Sequence, residues 1–243
     1  MRHIWIDTNE LRAIDFIIRA LARSETINLL GVSAVGGGAE ALWHSLQKIY
    51  PQAVLGADRA LLESRTISDK LGHAPQAVQE LEKAMEKHEG IELLAFGPLT
   101  NIATWIVANP HQHARVQCIH MVSGVCLEGN QTMATEAQIA WDPEAAKIVL
   151  KSGIPVRLYP QDKSFLEAES LKLGLDPADF YGHCLAGLLR GSQAAKYKKC
   201  YIDVDLQGVH TRGSLVVDYP NTLRQKANGY IFEGLTETKA GEA

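Results

Sequence analysis

Apolar and polar positions follow two rhythms along the chain, and those rhythms set the elements. Ile4-Trp5-Ile6 is an apolar run of the length of a buried strand. Asp7 and Thr8 stand at its carboxyl end, and Leu11, Ile14, Ile18 and Leu21 then recur at helical spacing. A strand stops, a carboxylate follows, and a helix begins within a few residues. In open α/β sheets, ligands bind in that crevice. Asp7 or Thr8 can equally act as the cap of the helix.

The same alternation continues. Residues 27–35 read as a second buried strand, closed by Gly36-Gly37-Gly38. The glycines read as a turn, and they also leave room for a ligand to approach the backbone. A helix over residues 39–49 and a short strand at 54–56 follow. Glu63 to His73 is polar and irregular, and Pro75 opens a helix towards His88. Ile91 to Phe96 is the next strand, Pro98 is placed to begin a helix ending near Ala108, and Val116 to Val122 is a strand again. Asp142-Pro143-Glu144 starts a helix with a cap, an N1 proline and an early acid, and Gly153 stops it. Ile154 to Tyr159 returns as a strand, and Asp176-Pro177 starts a further helix.

Late in the chain, Tyr201 to Leu206 alternates and Ser214 to Val217 answers it, which predicts a hairpin. His210, Thr211 and Arg212 fall in its turn, and Tyr230-Ile231-Phe232 reads as one more edge strand. The expected fold is α/β: a mainly parallel open sheet with helices on both faces and a late antiparallel edge hairpin.

One connection stands out. Residues 124–140 carry Asn130, Glu136 and Gln138 with no strong helix or strand signal. Connections of this length inside a compact domain are usually functional.

Composition narrows the class. With 243 residues and 46% hydrophobic content, the chain can bury one sizeable core, read as a single domain over 1–235 with a polar tail at 236–243. A net charge of −4 gives no basic surface for nucleic acid or anionic membrane. No apolar run is long enough to span a bilayer, and the N-terminus carries no signal-peptide pattern. Cys118, Cys126, Cys184 and Cys200 lack CxxC spacing and read as reduced thiols of a cytoplasmic protein. His111 and His113 read as a solvated loop. His183-Cys184 makes a poor nucleophile–base pair, because adjacent helical residues diverge. Asp162 either lines the pocket or caps the next helix.

Several segments together resemble the inosine–uridine-preferring nucleoside hydrolase family. They are FGPLTNIA at Phe96–Ala103, the strand end at Met121–Gly124, EGN followed by Glu136, WDPEAAKIV at Trp141–Val149, SGIPV at Ser152–Val156 and the run Asp203–Asp218. The match extends over nearly the whole chain in the same order. The resemblance implies hydrolysis of the N-glycosidic bond of ribonucleosides with a bound calcium. It also implies a homo-oligomer and a ribosyl-bearing small molecule as partner. Calcium is a hard ion that takes six to eight oxygen ligands. It orients a water that an aspartate deprotonates for attack at the anomeric carbon.

The family's pattern at the first strand end resembles D-x-D-P-G-x-D-D. Here it reads Asp7-Thr8-Asn9-Glu10-Leu11-Arg12-Ala13-Ile14. Only the first aspartate is kept. The base position is Asn9, and the last two aspartates are Ala13 and Ile14. By resemblance, the Phe96 carbonyl is a metal ligand, and Asn130, Glu136 and Gln138 are ribose contacts, the last lengthened from Asn. Asp7, the Asn9 amide and the Phe96 carbonyl are then the donors left for calcium. The implied site is degraded, with calcium weak or absent.

Three functions stay open at this level. One is a working N-glycosidase with Asp7, Asp15 or Glu136 as base. A second is a non-catalytic binder of a ribosyl ligand at Asp7, Asn130 and Glu136. A third is a scaffold subunit whose surface matters more than its pocket.

Overall fold

The computed structural model describes residues 1–62, 75–126 and 128–236. The polar stretch Glu63 to His73, and the tail beyond Thr236, lie outside the described residues.

Strand β1 (Arg2–Thr8) is the centre of the molecule. Its main chain pairs in parallel with β2 (Ile27–Ala34) on one side and β4 (Ile91–Phe96) on the other. Among the described residues the sheet has nine strands in the order β3-β2-β1-β4-β5-β6-β9-β7-β8. The remaining parallel strands are β3 (Val54–Leu55), β5 (Val116–Met121), β6 (Val156–Leu158) and β9 (Gly229–Thr236). The chain leaves β1 for β2 and β3 in one direction, then resumes at β4 in the other. That reversal opens a crevice at the carboxyl ends of β1 and β4.

Alternation along β1 feeds two cores. Trp5 packs on one face with Leu81 and Met85 of α3 (Gln76–Lys87), Trp105 of α4 (Thr100–Ala108) and Val149 of α6 (Pro143–Lys151). Ile4 and Ile6 pack on the other with Ile14 and Ile17 of α1 (Arg12–Leu21), Leu46 of α2 (Ala39–Leu46) and Leu185 of α8 (Phe180–Leu189). Helices α5 (Ala137–Trp141) and α7 (Lys163–Leu173) complete the set.

The late hairpin forms as expected: β7 (Ala194–Val204) pairs antiparallel with β8 (Leu215–Asp218) at the sheet's edge. Four expectations need correction. The Tyr230–Phe232 strand is not an edge, because β9 sits between β6 and β7 and pairs with both. Strand β7 starts seven residues before Tyr201, at Ala194; its lysines hide the strand pattern. Asp176-Pro177 opens a short 3-10 turn, Pro177–Asp179, and the helix proper starts at Phe180. Thr236 belongs to β9 rather than to a tail.

Glycine 97 lets the ends of β1 and β4 approach. A Cβ there would lie 2.7 Å from Val35 Cγ1 and 2.8 Å from the Asn9 nitrogen. We expect Gly97→Ala to cost about 1–3 kcal/mol of stability through overpacking. Urea unfolding checks this; an unchanged midpoint would refute the close-approach argument.

Candidate functional site at the carboxyl edge of the sheet

A cleft of about 350 Å³ opens where the sheet order reverses. Asn9, Glu10, Phe96, Gln138, Gln161 and Tyr181 are among its lining residues. Ala13 and Gly182 close its floor, where α1 meets α8: a Cβ on Gly182 would lie 3.3 Å from that of Ala13. Ile14 is fully buried in the core beneath. The two positions that hold aspartates in the family pattern are thus part of helix packing.

Asp7 is almost fully buried and is not among the side chains lining the cleft. Parallel pairing puts Ser33 beside it. Ser33 Oγ donates to Asp7 Oδ1 at 2.6 Å, and Asn101 Nδ2 donates to the same oxygen at 2.8 Å. Trp5 Nε1 donates to Ser33 Oγ at 3.0 Å, and Asn101 Oδ1 accepts from the Ala57 N–H at 2.8 Å. Asp7 Oδ2 is buried without a partner. Burial pushes the carboxyl up to about 7, against the two hydrogen bonds that favour its ionised form.

The long connection is pinned by its own carboxylates. Glu136 caps α5: Oε1 accepts from the Gln138 N–H at 2.8 Å, and Oε2 accepts from those of Gly124 and Ile139 at 2.9 and 3.3 Å. Burial raises its pKa, and these backbone donors oppose the rise. Asn130 Oδ1 accepts from the Ala137 N–H at 2.9 Å, so it too holds the loop to the helix. Asp162 accepts from the N–H groups of Cys126 and Glu128. It therefore clamps the loop, and its side chain makes no hydrogen bond capping α7.

Three sequence-derived positions do meet. The Phe96 carbonyl accepts from the Asn9 main-chain N–H at 3.4 Å and from Gln138 Nε2 at 3.3 Å. Gln138 Oε1 is buried with no partner. Asp7, Asn130 and Glu136 lie outside the lining of this cleft.

The remaining candidates stand apart. Asp15 takes a hydrogen bond from Arg19 Nε at 2.8 Å on the outer side of α1. His183 stacks on Phe16 with ring centroids 3.9 Å apart, while Cys184 is buried in the core. His113 contacts the Ile106 carbonyl at 2.8 Å within a 3-10 turn. Cys118 is buried, and burial pushes its thiol up to about 11.

Sequence reasoning missed Ser33, Asn101 and Glu10. Ser33 was legible as the polar residue inside an apolar strand, and Asn101 as the amide after the GPLT turn. Glu10 lines the cleft, and burial raises its carboxyl above the usual range. Among the described residues, no group of three His, Cys, Asp or Glu is placed to share a metal ion. No described helix is long and apolar enough to cross a membrane.

The model of the family described as inosine-uridine preferring nucleoside hydrolase matches residues 4–240. The chain belongs to that family. Among the curated nucleoside hydrolases it resembles is a pyrimidine-specific ribonucleoside hydrolase RihA of Shewanella oneidensis, 26% identical over 86% of this chain and 75% of the relative. Another is a RihA of Salmonella arizonae, 30% identical over 65% of this chain. The chain spans 62% of that relative's length. The fold is that of solved nucleoside hydrolases. An inosine-guanosine nucleoside hydrolase superimposes with a TM-score of 0.76 at 20% identity, covering 97% of this chain and 95% of the other. A purine-preferring ribonucleoside hydrolase from Gardnerella vaginalis gives 0.73 at 17% identity, covering 96% and 94%.

The buried Asp7 makes a pH-dependent contribution to stability with a defined sign. Folding raises its pKa from 3.8 to about 7, so protonation favours the folded state. The contribution is full below the unfolded value and is lost as pH rises through the folded one. Asp7→Asn should therefore gain on wild type by a few kcal/mol between about pH 5 and about pH 8. Urea unfolding at the two values measures the gain. A constant difference would show that Asp7 ionises normally.

Proposed function

We propose that this nucleoside hydrolase-like chain binds a ribosyl-bearing small molecule in the carboxyl-edge cleft, without a strong calcium site and with little or no hydrolysis. One observation carries the reading. The Phe96 carbonyl, which the family resemblance assigns to calcium, here accepts a hydrogen bond from the Gln138 amide. An N–H donor stands where the ion needs an open oxygen.

The rest of the donor set does not fit calcium either. Asp7 offers one free oxygen on a carboxyl raised to about 7, and Asn9 offers a neutral amide. Calcium takes six to eight oxygens, several of them anionic. Loss of a general base alone removes about 10²–10⁴-fold in rate. The residues left in the cleft suit binding: Asn9, Gln138 and Gln161 present amides, and Tyr181 and Phe96 present apolar walls. In this reading the protein is cytoplasmic and homo-oligomeric, and light scattering tests the oligomer.

A second reading is favoured by Glu10. It is the carboxylate among the residues lining the cleft, and its raised pKa suits an acid–base role. It would make this chain a metal-independent hydrolase. Neither Glu136, saturated by backbone donors, nor Asp15, on the outer side of α1, can take that role in the observed geometry.

A calcium titration by calorimetry, beside a hydrolysis assay over a nucleoside panel, separates these readings. We expect no calcium heat below millimolar concentrations, no turnover, and a rise in melting temperature with nucleoside. Turnover that survives chelator and falls in Glu10→Gln would select the second reading. Turnover lost in chelator and restored by calcium would overturn both. Asn9→Asp alone should not create activity. Adding Ala13→Asp and Ile14→Asp should unfold the chain rather than rebuild the site, since a lone carboxylate at the buried Ile14 costs several kcal/mol.

A further inference from the structure

A second cavity, about 650 Å³, lies away from this cleft and opens on one face of the sheet. It is lined by Arg2, Glu92, Cys118, Arg157, Tyr197 and Tyr230, with Gln117 and Pro155. Parallel and antiparallel registers set His120 beside Arg157, Arg157 beside Tyr230, and Tyr230 beside Lys199. Residues directly opposite in a sheet share a face. His120, Arg157, Tyr230 and Lys199 therefore form one row on the face that carries α1 and α8.

The charges on this face do not balance. Arg2 is paired: its Nε and Nη2 each donate to Glu92 at 2.7 Å, and its Nη1 donates to main-chain carbonyls at the end of α8. Glu92 is also in contact with His120 Nε2 at 3.0 Å. Burial opposes its ionisation, yet the hydrogen bonds from His120 and Arg2 hold its carboxyl down at about 2. Burial keeps His120 neutral, so its Nε2–H donates to Glu92 and its Nδ1 accepts from the Tyr159 hydroxyl at 2.9 Å. The Tyr197 hydroxyl lies 2.8 Å from that of Tyr159 and ends the chain at the cavity wall. Glu92 is thus spent on Arg2.

Among the described residues neither Arg157 nor Lys199 forms a salt bridge within 4 Å, and Glu92, committed to Arg2, acts on Arg157 only at longer range. The Arg157 guanidinium sits over the Tyr197 ring, 5.1 Å from its centroid, and its N–H groups make no hydrogen bond there. Lys199 Nζ sits 5.8 Å from the centroid of Tyr230, the ring between the two cations in the row. Stacking on tyrosine orients both cations without consuming their charge or their donors. A single unpaired surface cation is ordinary. Two held in register on aromatic rings, Arg157 in the wall of a cavity of small-molecule size and Lys199 beside its lining residue Tyr230, are a prepared anion site.

We propose that this cavity is a second ligand site that takes a small phosphate-bearing molecule through Arg157 and Lys199. The residual charge is two positive, which a phosphate dianion matches and a single carboxylate does not. The free guanidinium fork suits bidentate contact with two phosphate oxygens. The site is separate from the carboxyl-edge cleft and does not rest on the function proposed for it.

Calorimetry at fixed ionic strength tests this with inorganic phosphate, phenyl phosphate and benzoate as probes. Saturable binding of a single phenyl phosphate per chain is expected, with inorganic phosphate weaker for lack of a ring to bury. Benzoate should bind weaker still. Arg157→Gln should weaken phenyl phosphate by about tenfold or more, and Arg157→Lys by less, because the charge remains and the fork is lost. Lys199→Gln, at an exposed position, should also weaken it and decides the matter should Arg157→Gln fold poorly. Gln138→Ala should leave phosphate binding unchanged. The proposal is overturned by no saturable phosphate binding, by unchanged affinity in both charge variants, or by benzoate binding as tightly as phenyl phosphate.

Discussion

Pairing of β1 with both β2 and β4 is the constraint on which the rest depends. Parallel strands pair with β1 on both sides, with one register shift to β2 between Ile4 and Trp5, and place their carboxyl ends level. The chain then departs in opposite directions from the two sides of that strand. A crevice therefore forms by topology rather than by any one side chain. Everything at the site is hung from that edge: Asn9 one residue past β1, Phe96 at the end of β4, and the long connection that follows β5.

Two hydrogen-bonded chains of buried polar groups lie on opposite faces of the sheet. Trp5, Ser33, Asp7 and Asn101 form one chain under the carboxyl edge. Arg2, Glu92, His120, Tyr159 and Tyr197 form another on the opposite face from Trp5. The first leaves a carboxyl oxygen without a partner; the second leaves none of its charge unmatched. The difference is physical. Glu92 gains a bidentate guanidinium, which repays its desolvation. Asp7 has only neutral donors, and a neutral hydrogen bond is too weak to hold an ionised carboxylate in the interior.

The same logic bears on Ala13 and Ile14, the positions that the resemblance matches to aspartates. Aspartates at 13 and 14 would need a cation to offset their burial. With Ala13 against Gly182 and Ile14 in the core, α1 and α8 close tightly on each other and the apolar surface is buried instead.

The fold class was legible in the residues themselves. Apolar runs such as Ile4-Trp5-Ile6 and Ile91–Phe96, each followed by helical spacing, force alternating strands and helices because each side chain must find a dry face. Asp142-Pro143 marked a helix start for equally local reasons, and the structure has Asp142 accepting from the Ala145 N–H at 3.0 Å. That positions 9, 13 and 14 are Asn, Ala and Ile rather than carboxylates was also readable in sequence. Contacts between distant segments could not. Position along the chain does not reveal that Gln138 reaches the Phe96 carbonyl, that Asp162 clamps Cys126, or that Glu136 caps a helix rather than facing the cleft. Nor does it show that β9 lies inside the sheet, or that Arg157, Tyr230 and Lys199 fall in one row. Side-chain chemistry is local and can be read in order. Register and burial are set by which strands pair, and only the tertiary structure decides that.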